Sequence, residues 1–157
     1  MPLNMNIRRA LFDEAALISE LALRSKAHWG YDSQFIEDCR SELTLTPASV
    51  ADGLVYVAEH DGRVVGFYSL LRLSLTDVEL RHLFVEPDFI GRGCGRLLWQ
   101  HAVECAARLG CARLTIESDP SAEPFYLKVG ARRAGEKAST LRPGRRLPLL
   151  SYSITTK

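Results

Sequence analysis

A glycine-rich turn between a predicted strand and a predicted helix is the segment whose residue types point most directly to chemistry. Residues 83–96 read LFVEPDFIGRGCGR. Main-chain N–H groups at a helix start carry the positive end of the helix dipole, and glycines let an anion approach the backbone closely. Arg92 and Arg96 add charge-assisted contacts. The segment therefore predicts a cradle for phosphate or pyrophosphate.

Other known uses of such a turn compete with this interpretation. A Walker-type loop ends in Gly-Lys-Ser/Thr, whereas Gly95 is followed by arginine and leucine, so that interpretation fails. A dinucleotide-binding GxGxxG requires a third glycine where Arg96 stands, and Pro87 has already ended the strand. A plain turn that uses glycine only for its geometry stays open.

The turn resembles the acetyl-CoA-binding motif of the GNAT superfamily of N-acetyltransferases. In that motif a strand ends in Val-x-Pro, and Arg/Gln-x-x-Gly-x-Gly/Ala opens a long helix. Gly93 and Gly95 match its glycines, whereas Ile90 replaces the usual Arg or Gln. A second stretch, DPSAEPFYLKVGA over 119–131, is similar to the family's Asn-x-x-Ala-x-x-Phe-Tyr-x-x-x-Gly-Phe segment, with Asp119 in place of Asn and Ala131 in place of Phe. The two motifs together are more specific than either alone.

The resemblance implies direct transfer of an acetyl group from acetyl-CoA, the cosubstrate, to a primary amine, without a metal. The amide of a strand-end residue is expected to stabilise the carbonyl oxygen as it becomes negative. An acyl-CoA sensor without turnover is the alternative, because the departures at Ile90 and Asp119 both touch cofactor contacts. The expected cofactor-binding residues are Phe84, Val85, Arg92, Gly93, Cys94, Gly95, Arg96, Asp119 and Tyr126.

Two side chains are expected to move protons. Tyr126 occupies the position of the family's thiolate-protonating tyrosine, and Glu79 resembles the base position of histone-type members. An alkylamine, with a pKa near 10, must lose a proton before it attacks. The structural alternative for Tyr126 is a packed core aromatic, and the alternative for Glu79 is a solvated strand residue. His82, on the opposite strand face from Glu79, is expected to be structural, and a water relay is a further candidate base.

A cysteine nucleophile is not expected. Cys94 stands at the helix start, where a thiolate would be favoured. Nevertheless, the direct transfer implied by the resemblance needs no covalent enzyme intermediate.

The acceptor site is expected beside the first two helices and the loop before the last strand, where the family builds it. Trp29 and Tyr31 are candidate lining residues, and a hydrophobic corner between the helices is the alternative. Arg145 is a candidate contact for an acidic acceptor. A solvated basic loop is the alternative for that arginine.

The charge is distributed unevenly along the chain. Residues 1–130 carry 13 Lys+Arg against 18 Asp+Glu, and residues 131–157 carry 7 against 1, for a net charge of +1. The low total argues against a general nucleic-acid binder. The basic segment includes Tyr152 as its aromatic residue, too few for a stacking platform. The basic segment instead predicts a bias towards acidic acceptors.

Composition points to one soluble domain over residues 1–157, which are 46% hydrophobic and 25% charged. The longest mostly apolar stretch, residues 64–75, is shorter than the roughly 18–20 residues that span a bilayer. Four cysteines without CxxC spacing or a secretion signal predict no zinc site and a cytoplasmic location. The expected partner is a small-molecule or peptide amine. A homodimer stays open, because dimers are common in the family.

Hydrophobic periodicity predicts the order β-αα-βββ-α-β-α-ββ. This order is an α+β fold, a GNAT-like mixed and mostly antiparallel sheet flanked by helices in a single domain. Asp61-Gly62 predicts a hairpin turn. The cradle is expected to open a helix over 93–109, with a glycine stop at residue 110.

Helix boundaries follow from capping residues. Asp13 is expected to cap the first helix, and Asp32 or Ser33 the second. Pro47 is expected to end the second helix. A short helix over 120–129 is expected to carry the second motif.

Overall fold

The computed structural model describes residues 4–154. The helices are α1 (Ala15–Ala27), α2 (Ser33–Leu43), α3 (Pro47–Asp52), α4 (Cys94–Arg108) and α5 (Glu123–Lys128). The strands are β1 (Asn6–Arg9), β2 (Leu54–His60), β3 (Arg63–Arg72), β4 (Asp77–Val85), β5 (Arg113–Glu117), β6 (Arg132–Ala138) and β7 (Arg146–Ser153). No helix in the described range is long and apolar enough to cross a membrane.

The strands form one sheet in the order β1-β2-β3-β4-β5-β7-β6. Antiparallel pairs join β1 to β2, β2 to β3, β5 to β7 and β6 to β7. A parallel pair joins β4 to β5, with Asp77 opposite Arg113 and Glu79 opposite Thr115. The mixed, mostly antiparallel sheet with flanking helices confirms the predicted α+β class.

The chain forms two compact units, and both β4 and α4 contribute residues to each. The first unit contains residues 4–70 and 82–101, and the second contains residues 71–81 and 102–154. Fully buried side chains in the first unit include Ile18, Leu21, Phe35, Val57, Phe67, Tyr68 and Leu98. Those in the second unit include Val78, Leu114 and Leu150.

Two local predictions are confirmed in detail. The hairpin between β2 and β3 turns at Asp61 and Gly62, whose φ angles are 51° and 78°. Both are positive, as a two-residue turn of the primed type requires. Asp32 caps α2, because its carboxylate accepts a hydrogen bond from the Phe35 N–H at 2.8 Å.

The predicted cap of α1 is wrong. Asp13 lies inside a 3-10 turn, Phe12–Glu14, and α1 follows with Glu14 at its N-cap. The Glu14 carboxylate accepts a hydrogen bond from the Leu11 N–H at 2.8 Å. That bond satisfies a donor at the start of the turn, and α1 starts only after the turn.

Pro47 begins a helix that the sequence interpretation missed. Helix α2 ends at Leu43, and α3 starts at Pro47 with Thr46 as its cap. Ser49 donates its N–H to the Thr46 hydroxyl at 3.1 Å, and the Thr46 N–H donates to the Ser49 hydroxyl at 2.9 Å. Serine here does what glutamate does in the usual capping box. Helix α5 is also shorter than expected, starting at Glu123 rather than at residue 120.

Candidate functional site

The predicted anion cradle lies in the first unit, directly after β4. A 3-10 turn over Pro87–Phe89 follows the strand and leads to Gly91 and Gly93, whose φ angles are 80° and 90°. These left-handed values favour glycine. A Cβ built on either glycine would meet no atom within 4 Å. The backbone therefore faces open space on this side, as close approach by an anion requires.

Helix α4 starts inside the cradle. The Leu97 N–H donates to the Gly93 carbonyl at 3.2 Å, at the start of the helical hydrogen-bond ladder. The amides of Cys94, Gly95 and Arg96 come before it, at the positive end of the helix dipole. Residues 91–96, hereafter the cradle, thus have the backbone geometry of a phosphate or pyrophosphate site.

The Cys94 side chain turns away from this chemistry. It is fully buried, and burial raises the pKa of its thiol to about 11. A Cβ on Gly66 of β3 would stand 3.2 Å from the Cys94 sulfur and 2.9 Å from Leu98. Cys94 is thus a packed, protonated thiol. Gly66 was missed in the sequence, although an isolated glycine in a strand signals close backbone approach.

The two cradle arginines are exposed. The Arg92 guanidinium lies 4.6 Å from the centre of the buried Phe89 ring, a cation–π contact. The Arg92 N–H donates to the Phe89 carbonyl at 3.3 Å, so this amide belongs to the turn. Arg96 lies in the first turn of α4.

The end of β4 carries further candidate residues. Val85 is buried and ends the strand, and the Phe84 ring lies 5.9 Å from the Phe67 ring, centre to centre. Glu86 comes next, and it is a buried carboxylate that the sequence interpretation did not single out. Its side chain is paired with Arg24 of α1 at 2.8 Å.

His82 is engaged at both ring nitrogens. Its Nδ1 lies 2.6 Å from the Ser69 hydroxyl, and its Nε2 lies 3.3 Å from the Glu42 carbonyl oxygen. A carbonyl only accepts, so Nε2 carries the proton, and Nδ1 of the neutral ring accepts from Ser69. These contacts agree with the expectation of a structural histidine.

Glu79 lies in the second unit, where it is the register partner of Thr115 in the neighbouring strand β5. Its side chain is 22% exposed, and its Oε1 lies 3.4 Å from the Nε of Arg81. The carboxylate is therefore accessible, and it lies beside a positive charge.

Tyr126 and Asp119, from the second motif, also lie in the second unit. Tyr126 is buried in α5, and both burial and the charge of Asp119 raise the pKa of its hydroxyl. Asp119 accepts hydrogen bonds from the Ser121 N–H at 2.8 Å and from the Ser121 hydroxyl at 2.5 Å. The Arg145 Nη2 donates to its other oxygen at 3.0 Å.

The three candidate acceptor residues, Trp29, Tyr31 and Arg145, have different surroundings. Trp29 is 49% exposed and packs edge-on against His28, with ring centres 5.2 Å apart. The centres of the Tyr31 and Phe35 rings are 4.7 Å apart, an aromatic contact of the kind expected in a hydrophobic corner. Arg145 is paired with Asp119, so its charge already has a carboxylate neighbour. Within residues 4–154, no group of three His, Cys, Asp or Glu side chains forms a metal cluster.

Comparison with known proteins defines the class to which this fold and cradle belong. Residues 51–130 match the family model described as an acetyltransferase (GNAT) domain. Because that match spans half of the chain, the protein belongs to the GNAT acetyltransferase family.

Curated relatives share the same description. The chain is 32% identical over 90 residues to an uncharacterized N-acetyltransferase of Mycobacterium tuberculosis, a match that covers 55% of this chain and 58% of that protein. The chain thus spans 58% of the length of the first relatives that it matches. The 5-NmdU N-acetyltransferase of Pseudomonas phage PaMx11 is 27% identical over 134 residues, covering 83% of this chain and 89% of that one.

Solved structures of N-acetyltransferases share the fold along nearly the whole chain. A GCN5-related N-acetyltransferase from Rhodopseudomonas palustris superposes with a TM-score of 0.81, at 22% identity and 98% coverage of both chains. The PaiA N-acetyltransferase of Thermoplasma acidophilum, solved in complex with coenzyme A, has a TM-score of 0.75 at 18% identity. It covers 96% of this chain and 99% of that one.

Proposed function

We propose that this protein transfers the acetyl group of acetyl-CoA to a primary amine by direct attack of that amine. The observation that carries the proposal is the cradle, in which two left-handed glycines face open space before the start of α4. The main-chain amides of Cys94, Gly95 and Arg96 would hold the pyrophosphate. Arg92 and Arg96 would add positive charge there. Acetyl-CoA, the cosubstrate, supplies the acetyl group and a thiolate leaving group.

The acceptor amine must be neutral to attack. Glu79 is the proposed base, because its carboxylate is partly exposed and is able to take the proton directly or through water. His82 is less suited to this role in its neutral form, since its Nδ1 lone pair accepts from Ser69 while its Nε2 proton points to a carbonyl. The amide of Phe84 or Val85 is the proposed donor to the carbonyl oxygen as negative charge develops there.

Tyr126 is the proposed donor to the departing sulfur. Burial and the charge of Asp119 raise the pKa of the Tyr126 hydroxyl. The phenol therefore keeps its proton throughout the neutral range and is available as a donor. The same shift makes it a weak acid, so its proposed contribution is a strong hydrogen bond to the thiolate, completed by proton transfer as the sulfur gains charge.

The acceptor is proposed to be an amine-bearing small molecule or peptide, and Trp29, Tyr31 and Arg145 stay its candidate contacts. The relatives are named for different acceptors: 5-NmdU, glucosamine 6-phosphate and an alanine of ribosomal protein bS18. We therefore propose only the shared chemistry, a primary amine.

Calorimetry with CoA tests the cradle directly. We expect Gly93→Ala to weaken CoA binding about tenfold or more, equivalent to roughly 1.4 kcal/mol, because the methyl group and the strained backbone both disturb the anion site. Gly62→Ala is the matched control, since Gly62 has a similar φ of 78° and open surroundings in the hairpin turn. Equal CoA affinity for both variants would argue against the cradle as the cofactor site.

Thiol release from acetyl-CoA tests turnover. The amine panel should contain 5-NmdU-type, amino-sugar phosphate and alanine-peptide acceptors, with Tyr126 and Glu79 variants as comparisons. Release that depends on an added amine supports transfer. CoA binding without release on any amine would favour the sensor, and a wild-type protein that does not bind CoA would overturn the proposal.

A further inference from the structure

A buried carboxylate directly precedes the turn that leads into the cradle. The Glu86 side chain is 8% exposed. Arg24, near the end of α1, donates from Nε to one oxygen at 3.0 Å and from Nη2 to the other at 2.8 Å. This fork-to-fork geometry is the most directional form of ion pair, and it fixes the orientation of the carboxylate.

Arg63, at the start of β3, is the third member of this group. Its Nη2 lies 3.6 Å from Glu86, and its Nη1 donates to Asp88 at 3.0 Å. Its guanidinium also lies 5.6 Å from the centre of the Phe89 ring. Since Asp88 and Phe89 lie in the 3-10 turn before the cradle, Arg63 holds that turn through two of its residues.

The backbone at Glu86 is held as well. Its N–H donates to the carbonyl of Val65 in β3 at 2.8 Å. The strand end is therefore attached to β3 by its main chain and to α1 by its side chain. Neither attachment uses the amides of the cradle itself.

We propose that Glu86 is a positioning residue for acetyl-CoA binding, with Arg24 and Arg63 as its partners in a charge-balanced brace behind the cradle. This inference rests on the proposed function. The brace holds the turn so that the cradle amides keep their direction. Its two arginines also balance the two acidic side chains, Glu86 and Asp88, that lie close in sequence to an anion site. The brace adds no contact to the reacting atoms.

Charge balance leads to a specific order of effects. Arg24→Gln removes the fork and leaves negative charge near the pyrophosphate, so both geometry and electrostatics oppose binding. Glu86→Gln also loses the paired hydrogen bonds to Arg24, but it leaves no negative charge at this position. The double variant should resemble Glu86→Gln, because the charge that Arg24 balances is then gone.

Calorimetry with CoA measures this order. We expect Arg24→Gln to raise Kd about tenfold, because the uncompensated Glu86 carboxylate then repels the pyrophosphate. Glu86→Gln and the double variant should raise Kd less than Arg24→Gln does. Arg24→Lys should recover part of the affinity, because it restores the charge without the fork.

Arg40→Gln is the matched control. Arg40 also binds two carboxylates, Glu20 at 2.9 Å and Glu37 at 3.0 Å, but it lies on α2 rather than beside the cradle. The CoA affinity of the Arg40→Gln variant should equal that of the wild type. Thermal unfolding of each variant identifies any loss of affinity that comes from a loss of folded protein.

A donor without pyrophosphate separates positioning from a general structural role. With S-acetylpantetheine as donor, kcat/KM should change less than twofold in Arg24→Gln, whereas KM for acetyl-CoA should rise about tenfold. Equal losses with both donors, or CoA affinities equal to wild type in every variant, would overturn the brace while leaving the proposed function intact. A wild-type protein without CoA affinity would overturn the proposed function first.

Discussion

At the scale of single residues, the proposed chemistry depends on which groups keep their protons. Tyr126 is buried beside the negative charge of Asp119, and both effects favour its neutral form. Burial raises the pKa of the Cys94 thiol to about 11, so the thiol stays protonated at neutral pH. His82 is committed to Ser69 and to a main-chain carbonyl. These environments are consistent with the proposed donor role of Tyr126, and they leave Cys94 and His82 outside the proposed proton transfers.

Tyr126→Phe should lower kcat about 100-fold or more, within the usual range for loss of an acid or base, while the KM for acetyl-CoA changes less. Phenylalanine keeps the ring and removes the proton that the leaving sulfur needs. Steady-state kinetics at saturating acetyl-CoA measure the effect. Tyr152→Phe on β7 is the control, and an unchanged kcat in the Tyr126 variant would remove this residue from the mechanism.

The raised pKa of Tyr126 also predicts an alkaline dependence of stability. The unfolded chain releases this proton near pH 10, whereas the folded chain keeps it to higher pH. The contribution is therefore fully present below about pH 10 and is lost as the pH rises further, by up to about 1.4 kcal/mol per pH unit. Urea unfolding of the wild type and of Tyr126→Phe should differ by a constant amount below pH 10, and the difference should fall above it. A difference that does not vary up to pH 11 would contradict the burial argument.

At the scale of elements, the position of α4 decides where the cradle amides lie. Gly66 in β3 lets the helix approach the sheet, because a Cβ there would meet Leu98 at 2.9 Å and the Phe84 carbonyl at 3.1 Å. The Phe84 carbonyl is backbone and cannot move aside as a flexible side chain would. Gly66 is therefore needed for close packing rather than for an unusual φ.

Gly66→Ala should destabilise the protein by about 1–3 kcal/mol, the usual cost of overpacking. CoA affinity should fall as well, because the first turn of α4 carries the cradle amides. Gly135→Ala in β6 is the matched control, since its Cβ would meet its nearest atom at 4.0 Å. Denaturant unfolding and calorimetry measure the two effects, and a Gly66 variant as stable as the control would show that α4 shifts at no cost.

At the scale of the whole molecule, the acidic and basic parts of the sequence meet in ion pairs. In the second unit, Lys137 pairs with Glu117 at 2.9 Å and Arg145 pairs with Asp119 at 3.0 Å. Arg146 pairs with Glu136 at 3.0 Å. Much of the basic segment is therefore neutralised by carboxylates of the same chain. The bias towards acidic acceptors stays a prediction, and an acidic acceptor that contacted Arg145 would share that arginine with Asp119.

Replacing either of two neighbouring arginines, Arg145 or Arg146, should lower the free energy of unfolding by different amounts. The Arg145–Asp119 pair is mostly buried, at 16% and 18% exposure, whereas Arg146 and Glu136 are 54% and 43% exposed. Arg145→Gln should cost about 1–2 kcal/mol, between the ranges for exposed and buried pairs, and Arg146→Gln less than about 0.5 kcal/mol. Urea unfolding checks the contrast. Equal costs would mean that burial does not strengthen the first pair.

Much of the fold was readable because its signals are local. Alternation predicted the strands, Asp61-Gly62 predicted the hairpin, and Asp32 predicted the cap of α2. The missed helix α3 also had a local signal, since Thr46, a proline and Ser49 form a capping box without the usual glutamate. Asp13 was misjudged because a 3-10 turn over Phe12–Glu14 precedes α1 and places Glu14, not Asp13, at the N-cap.

The sequence by itself indicated the class of protein through its two motifs, and it indicated the cradle because the glycines and helix-start amides lie within a few residues of each other. The tertiary structure decided the partners of the charged side chains. Arg24 meets Glu86 across 62 positions, and Arg145 meets Asp119 across 26. No periodicity encodes such pairs, because the geometry of the packed chain decides which charges meet. Whether an arginine is available to a substrate or already held by a carboxylate therefore became clear only in the folded molecule.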